Sequence, residues 1–207
     1  MNKITEIKTI IKEGESVFKE KGSSFYAFAH PVLSLKDGIK IIAGTRKKYY
    51  DATHHCYALK LTEEVTKYDD DGEPNGTAGI RILRAIEHFE LSNVLVVVVR
   101  YFGGTKLGIG PLGKAYYAAS IEAINSSEII VKNAYRKVFV SLSYTDVNII
   151  KNILLKYNVK MGKSKFEANA EINFFCKVDI LENLLNKVKD LTKGNCNIII
   201  ESGELFL

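Results

Sequence analysis

Residues 93–119 read NVLVVVVRYFGGTKLGIGPLGKAYYAA, an apolar run that stops at Arg100, passes through glycines and then takes up helical spacing. A strand apolar on both faces is covered on both faces, so residues 94–99 are expected at the centre of a sheet with layers above and below. The spacing after the glycines predicts a helix from 112 to about 126. Strand, glycine corner and helix in that order can hold an anion, because backbone N–H groups and the positive helix end face the same way. Arg100 then stands at the C-terminal end of a central strand, the usual ligand address in open α/β sheets. Gly103 and Gly104 permit a tight backbone, and Lys106 and Lys114 add positive charge. Neither standard phosphate pattern is met. GxxxxGK[ST] is absent, and GxGxxG occurs as Gly108-Gly110-Gly113, with its third glycine inside the helix. The same glycines equally allow a helix to pack closely on the sheet.

Working outward, the stretch before this run alternates apolar and polar residues in ITEIKTI, SVFKEKG and SFYAFAHPV, which reads as two or three strands with Gly14 and Gly22 at turns. Leu35, Ile39, Ile42 and Ala43 recur at helical spacing behind Ser34, a suitable N-cap. THHCYALKL reads as a strand, TKYDDDGEPNGT as a polar loop dense in turn formers, and residues 77–90 as a helix. After Ser127 the order changes. YRKVFVSLSY reads as a strand, TDVNIIKNILLKYN as a helix, a short strand falls near Val159, FEANAEINFFCKV is one strand, DILENLLNKVKDLT a helix and NCNIIIESGELFL a last strand. That is βαββαβ, the ferredoxin-like unit whose two helices cover one face of an antiparallel sheet. The fold class is therefore mixed α/β (α+β), with an N-terminal domain at 1–132 and a C-terminal domain at 133–207.

At 207 residues the chain can bury one large core or two small ones. Its longest apolar run is far short of the ~20 residues that span a bilayer, and its first residues mix acids with apolar groups instead of forming a signal segment. Cys56, Cys176 and Cys196 make no CxxC pair, so a reducing, cytoplasmic setting is expected. The net charge of +5 is uneven: 17 basic and 16 acidic residues up to Val131, against 12 and 8 beyond it. Lys151, Lys156, Lys160, Lys163 and Lys165 occupy a stretch without an acid, which suits a solvated helix face and loop or a phosphate footprint.

Three stretches carry chemistry. His54 and His55 are adjacent on a strand, so their side chains point to opposite faces and cannot share one site without a bulge. No HxH or HxxxH spacing occurs, and no metal site is expected from the histidines. Asp69, Asp70, Asp71 and Glu73 gather four carboxylates in the DDDGEPNGT loop. They suit a hard cation such as Mg²⁺, an acid and base pair, or a turn whose side chains bond their own backbone, with Thr77 capping the next helix. The glycine corner with Arg100 is the third. No activated nucleophile is recognisable, so an enzyme is not the expected outcome and no cofactor is assigned.

Taken together, ATHHCYAL at 52–59, DDGEPNGTAG at 70–79 and VVRYFGGTKLGIGPLGKAYYAA at 98–119 resemble the IMPACT family, also called uncharacterised protein family 0029, and the likeness extends to KGSSFYAFAHPV. The resemblance implies an N-terminal α/β domain similar to the second domain of a small-subunit ribosomal protein. It also implies, for the bacterial two-domain type, a C-terminal ferredoxin-like domain similar to the last domain of elongation factor G. It implies RNA or ribosome association, a possible protein partner in translation, a role in regulating translation, and no membrane. Eukaryotic relatives use a further N-terminal domain that binds a partner of a stress kinase, which is not expected in this chain. Carried onto this sequence, the shared polar surface is His54, His55, Asp70, Asp71, Glu73, Thr77, Arg100, Tyr101, Gly103, Gly104 and Lys106, with Lys114 beside it. The family pattern usually runs LGxGGLxRAY. Here Pro111 replaces a glycine, which the first helical turn accepts, and Lys114 replaces an arginine, which keeps charge but loses a bidentate fork. The alternative function is an enzyme or small-molecule binder acting on a phosphorylated ligand in a cleft between the histidines, the DDGE loop and the glycine corner.

Overall fold

The structure, a computed structural model, describes residues 4–62, 65–166 and 169–207. They divide into two compact units: Lys8–Val131, and Lys132–Leu207 joined by the N-terminal residues through Ile7. The N-terminal residues group with the second unit, where the Ala134 N–H donates to the Thr5 carbonyl.

The first unit is built around β6 (Val94–Tyr101), the run that opened the sequence. Its sheet has the order β2-β3-β6-β4-β5, with β2 at Gly14–Glu20, β3 at Ser23–Pro31, β4 at His54–Thr62 and β5 at Val65–Asp69. Every neighbouring pair is antiparallel. The central position expected for β6 is found, in a sheet whose strands are antiparallel instead of parallel. Alternation sends Val94, Val96 and Val98 against α2 (Gly79–His88) and α3 (Ile109–Asn125), together with Phe25, Ala27, Cys56 and Ala58. It sends Leu95, Val97 and Val99 against Ile42 of α1 (Leu35–Lys48). Ser34 caps α1 as expected, its hydroxyl accepting from the Asp37 N–H at 3.2 Å. Ile39, assigned to the buried stripe by spacing, is 62% exposed because Gly38 and Ile42 carry the contact instead.

Three boundaries differ from the sequence reading. TKYD at 66–69 is not loop but most of β5, an edge strand whose polar residues alternate against nothing and so leave no period to read. α3 begins at Ile109, with Pro111 inside the first turn, where no N–H is needed. β7 runs over Glu128–Leu142, starting seven residues before the expected YRKVFVSLSY.

In the second unit β7 is followed by α4 (Val147–Lys156), β8 (Lys160–Met161), β9 (Lys165–Phe166), β10 (Ala170–Lys177), α5 (Leu181–Leu191), β11 (Cys196–Ile200) and β12 (Leu205–Phe206). β7 lies between β11 and β10, and β10 pairs β8, which is the antiparallel order of a split βαβ unit. Two expected single strands are each two. FEANAEINFFCKV divides into β9 and β10, which pair as a hairpin, with residues 167 and 168 outside the described residues. NCNIIIESGELFL divides into β11 and β12, both on β7. Val138, Val140, Ile172 and Phe174 pack against Ile150, Leu154, Leu184 and Val188. β1 (Glu6–Lys12) enters the same sheet beside β7. Among the described residues no helix is long and apolar enough to cross a membrane.

Ile86 of α2 is fully buried beneath the first sheet, whereas Ile39 of α1 faces solvent. Ile86→Ala is expected to cost about 2–5 kcal/mol, and Ile39→Ala to stay within roughly 0.5 kcal/mol. Urea unfolding of the two variants checks this, and equal losses would contradict the layer assignment.

Candidate functional site

His54 and Arg100 are paired residues on neighbouring strands, so both side chains leave the sheet on the face that α2 and α3 cover. The Arg100 guanidinium is buried, 5% exposed, and its Nη1 donates to Glu73 Oε1 at 2.5 Å. Glu73, 8% exposed, also accepts from the Tyr116 hydroxyl at 2.7 Å. Arg100 Nη2 donates to Ser23 Oγ at 3.4 Å, and the Gly103 N–H donates to the same oxygen at 3.2 Å. The guanidinium carbon lies 5.4 Å from the Phe25 ring and 5.6 Å from that of Phe102. Arg100 Nε is buried without a partner among the described residues. Burial holds the Tyr116 phenol and the Cys56 thiol well above their ordinary pKa values, so both keep their protons. Cys56 Sγ lies 3.3 Å from the Tyr116 oxygen and 3.1 Å from the Asp70 carbonyl.

The acidic loop is a knot tied on its own backbone. Asp70 Oδ1 accepts from the N–H groups of Ala78 and Gly79 at 2.9 and 2.8 Å, and its Oδ2 accepts from Gly76 at 2.8 Å. Asp70 therefore serves the open end of α2 from nine residues away, the task the sequence assigned to Thr77. The Thr77 hydroxyl instead donates to the Pro74 carbonyl at 2.6 Å, and the N-cap, Ala78, has no side-chain bond. Asp71 Oδ2 accepts from the His55 N–H at 2.7 Å and its Oδ1 from Arg46 at 2.6 Å. Asp69 Oδ1 accepts from the Asp71 N–H at 2.8 Å. Protein donors thus engage both carboxylate oxygens of Asp70 and of Asp71, and one of Asp69.

The two histidines part as their adjacency required. His55 faces α1, where Nε2 lies 2.9 Å from the Tyr49 carbonyl. His54 Nδ1 lies 2.8 Å from the Asp71 carbonyl, which only accepts, so Nδ1 carries the proton. Its Nε2 lies 3.8 Å from Glu73 Oε2.

His54, Glu73, Arg100 and Lys106 line one cleft of about 370 Å³, together with Thr53, Pro74, Phe102, Leu107, Gly108, Ile109 and Leu112. Four of the twelve residues picked out from the sequence thus meet there. His55, Asp70, Asp71 and Thr77 do not line it; His55 and Tyr101 lie on the other sheet face, where Tyr101 donates to Asp51 at 2.7 Å. Gly103 is a packing glycine: a Cβ on it would fall 1.9 Å from the Gly22 carbonyl carbon. Gly104 and Lys114 are exposed and do not line the cleft. Sequence reasoning missed Cys56, Tyr116, Ser23 and Phe102, although all four lie inside or beside the quoted motifs. Their signal is register: Ser23, Phe25, Cys56 and Arg100 fall on one sheet face. The mouth adds the open end of α3. Its N-cap, Gly108, has φ 84° and no side-chain bond, and the first turn holds no acid, so the N–H groups of Ile109 and Gly110 lack intrahelical acceptors. Among the described residues no three His, Cys, Asp or Glu side chains gather as metal ligands.

Removing one member of a buried ion pair strands the other. Glu73→Gln is expected to cost about 3–5 kcal/mol, and the double variant Glu73→Leu/Arg100→Met less than that, as measured by urea unfolding of the three proteins. If the single change were harmless, the pair would not be holding the loop. The raised thiol pKa also predicts that iodoacetamide at pH 8 leaves Cys56 unmodified in the native protein. Peptide mass spectrometry showing rapid native labelling of Cys56 would contradict its burial.

Residues 21–124 match the family model of the Impact N-terminal domain. The IMPACT family member YvyE of Bacillus subtilis (strain 168) is 29% identical over 199 residues, covering 95% of this chain and 91% of its own length. An IMPACT family member of Haemophilus influenzae is 29% identical over 204 residues, covering 94% of this chain and 98% of its own. Among solved structures, the crystal structure of a hypothetical protein superposes with a TM-score of 0.70 at 23% identity over 97% of this chain and 100% of that one, a likeness of fold. A family match over half the chain, on the segment that builds the cleft, places this protein in the IMPACT family.

Proposed function

We propose that this protein is an RNA- or ribosome-associated binding protein with a role in regulating translation, and that its cleft receives one phosphorylated unit of the bound RNA. What supports the reading is the meeting of three groups in one cleft: the Lys106 ammonium, the uncapped end of α3, and the Phe102 ring, 46% exposed. A phosphate would take Lys106 with the N–H groups of Ile109 and Gly110, where the helix dipole adds its field. A base would lie against Phe102 and the apolar side chains of Leu107 and Ile109. Arg100 has a different part from the one its position suggested. Its Nη1 and Nη2 are engaged by Glu73 and Ser23, so it shapes the floor and is not a phosphate fork.

Binding is favoured over catalysis by the state of the polar groups. Glu73 is held by two donors, the Cys56 thiol keeps its proton, and Ser23 Oγ already accepts two hydrogen bonds. A second reading, an enzyme or small-molecule binder acting on a phosphorylated ligand, has one observation in its favour. His54 Nε2 stands 3.8 Å from Glu73 Oε2, in a cleft of a size that encloses a small ligand.

Binding to phosphates releases counterions, so the affinity of the full chain for a short fluorescent RNA should fall steeply with added salt. Lys106→Ala should weaken binding and lower the log–log salt slope by about 1. Fluorescence anisotropy across a salt series reads both. Absence of RNA binding at low salt, with calorimetric binding of a nucleoside monophosphate, would decide for the second reading.

A further inference from the structure

In the ferredoxin-like unit α4 and α5 cover one sheet face, through Val138, Val140, Ile172 and Phe174. Alternation places Lys137 and Phe139 of β7, and Asn173, Phe175 and Lys177 of β10, on the opposite face, where all five are partly exposed. The register sets Lys137 across from Phe175 and Phe139 across from Asn173. The two phenyl rings are thus diagonal neighbours, a spacing of about 7–8 Å in such ladders. On the flanking strands Lys160 of β8 stands beside Phe175, and Ile199 of β11 beside Phe139. Lys165 of β9 stands beside Glu171 at the same sheet's margin.

Cations are threaded among the rings. Lys137 Nζ lies 4.8 Å from the Phe139 ring centre, and Lys160 Nζ lies 4.7 Å from that of Tyr135. Among the described residues of β7–β11 and Glu201, this face sets Glu171 and Glu201 against Lys137, Lys160, Lys165 and Lys177, with Glu201 3.2 Å from Lys137. Flat rings alternating with cations match a strand of unpaired nucleotides, whose bases have π faces and whose backbone is an anion at every step. An acidic peptide would satisfy the lysines but has no flat group for the rings. In βαββαβ sheets that read RNA, the two central strands carry the stacking aromatics. β7 and β10 are the two strands flanked on both sides by partners here. The β10 sequence NFFCKV lacks the signature by which such sheets are found, so the arrangement emerges from register alone.

We propose that this face is a platform for single-stranded RNA, with Phe139 and Phe175 stacking two bases and Lys137, Lys160 and Lys177 holding phosphates. It presupposes the RNA-binding reading above and adds a surface separate from the cleft. The test is fluorescence anisotropy of the full chain with a short oligouridine and a matched RNA duplex at about 50 mM salt. Wild type should prefer the single strand. Phe139→Leu/Phe175→Leu, which keeps apolar bulk but removes both rings, should lose roughly 10-fold or more in affinity, and Phe139→Tyr/Phe175→Tyr should restore most of it. Circular dichroism and the urea midpoint confirm that each pair folds. If wild type binds RNA and Lys106→Ala weakens it while the leucine pair binds normally, the platform is wrong and the cleft reading stands. A preference for the duplex likewise overturns the platform. If wild type binds neither RNA at low salt, both readings fall.

Discussion

The ion pair between Arg100 and Glu73 is the contact on which the arrangement of the N-terminal unit turns. It joins the end of the central strand to a loop that has little apolar surface of its own, and both partners are almost completely buried. Two charges removed from water are costly to solvate, and their attraction offsets that cost only when the remaining donors and acceptors are also met. Tyr116 and Ser23 meet most of them, and the aromatic rings of Phe25 and Phe102 face the guanidinium. A buried pair of this kind is weak evidence for added stability but fixes geometry, since any displacement of the loop would leave a bare charge behind. The cleft has a defined wall because the loop has one place to be.

The acidic loop shows how a chemically suggestive composition is used for construction. Asp70 alone answers three backbone N–H groups, two of them at the start of α2, whose own N-cap residue is an alanine. Asp71 ties the same loop to β4 and α1 through the His55 N–H and Arg46. Asp71 and Gly72 both take positive φ, at 43° and 84°, so the loop adopts conformations that side chains ordinarily avoid. Such a turn stays folded because several charge-assisted bonds converge on it. What faces the cleft is what the knot does not consume: His54 Nε2, Lys106 and the end of α3.

Much of this was legible in the sequence where a period or a fixed φ declares itself. The strand through Val97, the cap at Ser34, the opposite facing of His54 and His55, and the βαββαβ order all follow from alternation, capping chemistry and turn residues. β5 was invisible because an exposed edge strand buries no face and so shows no period. The split of the last strand into β11 and β12 was hidden by the length of β7, which accepts both along one side. At the site, composition gathered the right neighbourhood but assigned the wrong tasks. Which of four carboxylates meets Arg100 depends on a turn whose residues are interchangeable on paper. The partner Tyr116 lies on a helix sixteen residues beyond Arg100, brought in by packing on Phe25 at 5.1 Å.

Charge separates the two units in a way that their folds do not. Through Val131 the chain is nearly balanced, and beyond it basic residues outnumber acidic ones by 12 to 8. On a nearly balanced surface, a cleft offers shape and a few placed groups. A more basic surface with a partly aromatic sheet face offers charge and stacking, features that tolerate sequence variation in a ligand. The basic unit is the one that long-range attraction would engage first, because steering depends on summed charge. On the proposed RNA-binding reading, the cleft would act at contact distance, where a phosphate would have to meet Lys106 and the N–H groups of α3 directly.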